Sequence, residues 1–302
     1  MKFMNPTVDI AFKKLFGNEK HTDILISFLN SILERKDGEK ITLVVINDPQ
    51  KLPELSYGKM IIIDVLCTDQ AGKKYIVEMQ VRDRKDFLER AQFYSAISLS
   101  RQLKIKENYE RLTPVIFIGV VDFDLFQDNN DRYVSHHFIS DSVTHKQSMN
   151  HLEYHFVELS KFNKKVDELK NDADRWIFLL KNADELYAIP KEFEDIAVMH
   201  DAFGILEEAT WSDQERQDYF YMIELERKEY AEHQASIEKG IEKGMKKGME
   251  KGLKEGIEKG IKKGAQNKAK EIAKGLLEKN IVSLEIISEI TGLSIEEIEN
   301  LE

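Results

Sequence analysis

Cysteine is almost absent: Cys67 is the only one in 302 residues, so no disulfide can form within the chain. Such usage suits a reducing compartment. Also missing is any stretch of about 18 uninterrupted apolar residues, the least that a membrane-spanning helix needs. The opening residues, MKFMNPTVDI, lack the apolar run of a signal peptide. These absences lead to the expectation of a cytoplasmic protein with no membrane partner. Positive charge is short as well, with 44 Lys and Arg against 55 Asp and Glu and a formal net charge of −11. As a whole such a chain repels nucleic acid, so any polyanion it handles must meet a local basic patch.

What is present is apolar content of 42%, enough for one large core or two modest ones. NPTVDIAFKKLFG predicts a helix that starts at a cap on Asn5 or Thr7, has Pro6 in its first turn and ends at Gly17. HTDILISFLNSILE predicts a second helix. ITLVVIND, KMIIIDVLCTD and KKYIVEMQV are β-branched or alternating and predict three strands, the last two joined by a turn at QAG. A helix is expected from Arg84 to Leu112, then a buried central strand in TPVIFIGVVDF. Two further strands, RYVSHHFISD and LEYHFVELSKF, precede helices that run to about Ala235. The fold class is α/β, with a core order of helix, three strands, helix, strand.

In YIVEMQV, Tyr75, Val77, Met79 and Val81 point one way, and Ile76, Glu78 and Gln80 the other. On the preceding strand Met60, Ile62, Asp64 and Leu66 share a face. A hairpin centred on Ala71 sets Asp64 opposite Glu78, with Cβ atoms about 5 Å apart. Two carboxylates so placed repel unless one is protonated or a cation lies between them. A divalent metal such as Mg²⁺ (or Mn²⁺) is one answer. The other is that Asp64 pairs with Lys59 while Glu78 sits at a solvated sheet edge.

These residues, in this order of elements, resemble the PD-(D/E)XK nuclease superfamily. More closely, the chain is similar to its bacterial recombination-promoting nuclease and transposase family. The likeness runs through DIAFKKLFG, DVLCTDQAGKKYIVEMQ, ERAQFYSAISLSRQL, LTPVIFIGVVDF, ELSKF and DELYAIPKEFEDIAVMHDAFGILEEATWS, most of residues 5–235. The resemblance implies a metal-dependent DNA endonuclease in which Asp64 and Glu78 hold Mg²⁺ (or Mn²⁺). Asp9 matches an acid that often completes the metal site, though an acid in a helix's first turn is also favoured by the helix dipole. Gln80 stands where the wider fold usually has lysine; it can hold a water but cannot act as its base. A catalytically weak module binding nucleic acid or protein is the alternative.

Arg82, Arg84, Lys85 and Arg90 follow the acid pair and could meet DNA phosphates, and Gln92 and Tyr94 look like polar residues of the same cleft. Plain solvation of these basic residues is the competing reading. Five of the eight histidines fall between His136 and His155; a zinc site or simple strand alternation accounts for them. Cys67 reads as a small buried apolar residue and no nucleophile.

Gly240, Gly244, Gly248, Gly252, Gly256, Gly260 and Gly264 recur every fourth residue. On a helix they drift about 40° per step, and each costs about 1 kcal/mol against alanine. A flexible linker, a helix packed in a homo-oligomer and a DNA contact are the three readings. The last draws on nine lysines and five glutamates between Ser236 and Gly264. In the tail, Ser294 and Glu297 have capping-box spacing, but IEEIENLE is too acidic to enter a DNA groove. The expected divisions are a core at 1–165, a helical extension at 166–235, the glycine ladder at 236–265 and a helical tail at 266–302.

Overall fold

The computed structural model describes residues 2–47, 63–83, 85–127, 131–279 and 282–301. Two compact units are formed, residues 1–225 and 226–302. The first begins with helices α1 (Asp9–Phe16) and α2 (Thr22–Ile32). Strands β1 (Val44–Asn47), β2 (Val65–Asp69) and β3 (Lys74–Gln80) follow, then α3 (Phe87–Ser100) and β4 (Val115–Val121). After β5 (Val134–Phe138) and β6 (Leu152–Glu158) come α4 (Asp172–Asn182), α5 (Lys191–Glu194) and α6 (Ala197–Leu206). Helix α7 (Asp213–Lys279) starts in this unit.

The six strands form one sheet in the order β1-β2-β3-β4-β6-β5. β4 runs parallel to both neighbours, and the other pairs are antiparallel. Every residue of β4 is buried, as its unbroken apolar run predicts. Alternation on β3 divides the core as expected. Tyr75 and Val77 face a layer containing Phe12, Phe16, Phe28, Trp176 and Phe203, so α1, α2, α4 and α6 share that face. Ile76 faces the opposite layer, where Phe87 and Ala91 of α3 meet Phe117 and Phe156.

Two local expectations change. Helix α1 starts at Asp9 behind Val8, with no side-chain cap. Asn5 instead closes the turn before it, accepting from the Thr7 N–H at 2.8 Å and the Thr7 hydroxyl at 2.7 Å. The helix expected over residues 84–112 ends at Ser100. There Gln102 clamps Thr113, donating to its carbonyl at 2.9 Å and accepting from its N–H at 2.8 Å, which returns the chain to β4. Residues 59–62 of the second expected strand, with Lys59, lie outside the described residues.

Gly119 sets the spacing between α3 and the sheet. It lies opposite Glu78 in the β3–β4 register. A Cβ there would stand 2.7 Å from Phe87 Cε1 and 2.9 Å from Phe156 Cδ1. Gly119→Ala therefore overpacks a close interface and should cost about 1–3 kcal/mol, read as a lower urea midpoint. An unchanged midpoint would show that α3 can shift without penalty.

In the second unit, the end of α7 packs with α8 (Leu284–Thr291) and α9 (Ile295–Glu299) through Ala273, Ile287, Leu293 and Ile298. The capping box is formed: Ser294 Oγ accepts from the Glu297 N–H at 3.2 Å, and Glu297 accepts from the Ser294 N–H at 2.9 Å. The glycine repeat lies on α7, and a Cβ at any glycine from Gly240 to Gly264 would meet nothing within 4 Å. Among the described residues, no helix is long and apolar enough to cross a membrane.

Candidate active site

The β2–β3 turn fixes which acids meet. Asp69 Oδ1 accepts from the N–H groups of Ala71 at 2.8 Å and Lys73 at 2.9 Å, and Gly72 takes a φ of +79°. Val65 then pairs with Val77 and Leu66 with Ile76. Continued by one residue, that register sets Asp64 opposite Glu78. At this point the regular ladder has ended, and the acids take over its hydrogen bonds. The Asp64 N–H donates to Glu78 Oε1 at 3.3 Å, and the Met79 N–H donates to Asp64 Oδ2 at 2.8 Å.

Both carboxyl groups are withdrawn from water: Glu78 is 5% exposed and the Asp64 side chain 12%. Burial pushes Asp64 up to about 6, against the pull of the Met79 N–H, and the charge of Asp9 raises it further. Burial, then the charge of Asp64, holds Glu78 well above the usual carboxylate range, with Arg90 opposing. Each acid is thus driven toward its neutral form, first by burial and then by a neighbouring carboxylate, against the weaker pull of Lys13 and Arg90.

Asp9 comes to this point from α1, close enough to Asp64 to raise that carboxyl. Helix α1 also brings Lys13, a residue that the sequence reading missed. Its Nζ lies 2.7 Å from Asp9 Oδ1 and 3.6 Å from Asp64 Oδ1. The i,i+4 spacing of Asp9 and Lys13 was a visible signal for the first contact. Nothing in the sequence announced the second.

From the other side α3 contributes Arg90, which donates to Gln80 Oε1 and pairs with Asp86 at 3.3 Å. Gln80 Nε2 donates to the Arg82 carbonyl at 2.6 Å. Both ends of the amide are therefore engaged, and Gln80 acts here as a clamp on Arg90. Burial, then the charge of Glu78, raises the phenol of Tyr94, one turn after Arg90. Gln92 lies about 200° around the helix from Arg90; it is exposed and bonds to the Leu88 carbonyl of its own helix at 3.2 Å. Lys85 is exposed with a φ of +60°. Arg84 lies outside the described residues.

The donor chemistry suits a hard dication. Two buried carboxyl oxygens that repel each other would be relieved by one, and Mg²⁺ takes one or two carboxylates with water and phosphate completing its shell. Among the described residues, no three His, Cys, Asp or Glu side chains converge as a ready ligand set, so Asp9 does not close a three-acid cage. That absence also covers the histidines: His136 and His155 face each other with their Nδ1 atoms 2.6 Å apart, and His151 contacts the Leu112 carbonyl. Cys67 is buried, and burial pushes its thiol up to about 12, far from a thiolate at neutral pH.

A family model described as PD-(D/E)XK nuclease family transposase matches residues 6–240. No curated protein and no solved structure matches the chain.

Proposed function

Since the chain belongs to the PD-(D/E)XK nuclease family transposases, we propose that it is a metal-dependent DNA endonuclease of recombination or mobile-element biology, hydrolysing phosphodiester bonds. The observation that carries this reading is the buried, mutually opposed pair Asp64 and Glu78 at the end of the β2–β3 ladder. A bound Mg²⁺ or Mn²⁺ would neutralise charge on the phosphate and make a water more acidic. Asp64 and Glu78 hold that ion, and Asp9 supports it from α1. Gln80 keeps the Arg90 guanidinium beside Glu78, supplying positive charge where the wider fold has lysine on the strand. Arg82 and Lys85, beyond the end of β3, with Arg90 and Tyr94 of α3, hold the DNA backbone, a role also proposed for Arg84 from its sequence alone, and Gln92 lies farther out on α3.

The test is conversion of supercoiled plasmid to nicked or linear DNA by the purified chain. Cleavage with Mg²⁺ or Mn²⁺ that EDTA stops supports the reading. No cleavage with either ion, across a range of salt, would favour a module that binds nucleic acid without cutting it.

Assembly belongs to the C-terminal repeat and tail. Ile241, Met245, Met249, Leu253, Ile257 and Ile261 are exposed along α7, and a helix with seven glycines gains stability when another chain covers such a stripe. Sedimentation equilibrium of the full chain should give a homo-oligomer; a monomer at micromolar concentration would end this part of the proposal.

A further inference from the structure

Helix α1 places one ammonium among the acids of the site. Lys13 Nζ bridges Asp9, at 2.7 Å, and Asp64, at 3.6 Å, and these acids come from separate elements. The three acids Asp9, Asp64 and Glu78 face two cations, Lys13 and Arg90. A dication seated on Asp64 and Glu78 would meet the cations that already approach those acids, Lys13 at Asp64 and Arg90 at Glu78.

The two differ in how firmly they are held. The Arg90 guanidinium donates to Gln80 on one side and lies in an ion pair with Asp86, at 3.3 Å, on the other. A planar guanidinium with two partners loses much when it moves. Lys13 reaches Asp64 at a distance well beyond the 2.7–2.9 Å or so of a charge-assisted hydrogen bond. Its side chain is 37% exposed, on a flexible stem that can turn to water while its partner Asp9 stays within reach.

We propose that Lys13 is a built-in counter-ion of the acid pair, and that a divalent cation displaces its ammonium from Asp64 when it binds. The proposal rests on the metal-binding reading of Asp64 and Glu78. In it, Lys13 holds together in the metal-free chain a site whose acids would otherwise repel one another. It also sets the affinity for the metal by competing with it.

The test is calorimetric titration of the full-length chain with Mn²⁺ in the absence of DNA, for the parent and for Lys13→Met, Lys13→Arg and Asp64→Ala, with circular dichroism to check the fold of each. Removing the competitor should tighten Mn²⁺ binding about two- to fivefold, the range of a partly exposed ion pair. Lys13→Arg, which keeps the charge, should bind within about twofold of the parent on the same reasoning, and Asp64→Ala should lose the site. A folded Lys13→Met that binds Mn²⁺ no more tightly than the parent overturns the proposal. So does binding that survives Asp64→Ala, or no binding by any of the proteins. A parent that binds Mn²⁺ and responds to Lys13→Met, yet cuts no DNA, would refute the nuclease reading and leave the counter-ion standing.

Discussion

Asp64→Ala and Glu78→Ala should each lower plasmid cleavage about a thousandfold while the far-ultraviolet spectrum stays that of the parent. The size follows from what the acids hold. A metal ion stabilises developing phosphoryl charge by several kcal/mol, and about 4 kcal/mol is a thousandfold in rate. Neither acid anchors the fold: the apolar layers on both faces of the sheet are built from other residues. The two losses should not add in the double variant, because either one alone removes the ion's seat. A single variant that still cuts within tenfold of the parent would show that the pair does not carry the chemistry.

The same pair should make the metal-free chain less stable as pH rises. Asp64 goes from an ordinary value of 3.8 to about 6 in the fold, and Glu78 is raised as well. At these two groups the folded chain therefore holds protons that the unfolded chain releases, so the pair's contribution to stability is most favourable below pH 4 and falls as pH climbs to about 6. Above that range the Asp64 penalty is complete, at about 2–3 kcal/mol. Asp64→Asn keeps an acceptor for the Met79 N–H and removes the charge, so it should raise the stability of the metal-free chain at pH 7.5 by about that amount. Mn²⁺ should raise the melting temperature of the parent and leave that of Asp64→Asn unmoved. Urea melts from pH 4 to 8, with and without Mn²⁺, check both points. A parent whose stability rises over pH 4–6, alongside an Asp64→Asn that is less stable, would mean that the carboxylate is satisfied by the protein alone.

Much of this site could be read from local pattern. Strand period and one turn were enough to set Asp64 against Glu78, because the Asp69–Gly72 turn is a short-range device that fixes the register of everything beyond it. Alternation on β3 likewise separated Tyr75 and Val77 from Ile76 and Glu78. What could not be read was which helix end abuts the ends of the strands. Lys13 touches Asp64 across 51 positions of sequence, and Arg90 meets Gln80 where α3 packs on the sheet through Phe87. Gln80 was expected to hold a water by its amide; the same amide donates to the nearby Arg82 carbonyl and accepts from Arg90, a partner that only tertiary packing brings up. The early end of α3 has the same kind of cause, a side-chain clamp between Gln102 and Thr113 that no helical period encodes.

Anomalous diffraction from crystals grown with Mn²⁺ would locate the ion itself. One strong peak is expected within bonding distance of carboxylate oxygens from both Asp64 and Glu78, with the Lys13 ammonium drawn away from Asp64. An empty pocket in which Lys13 still bridges Asp9 and Asp64 at saturating Mn²⁺, or an ion bound only elsewhere, would contradict that placement.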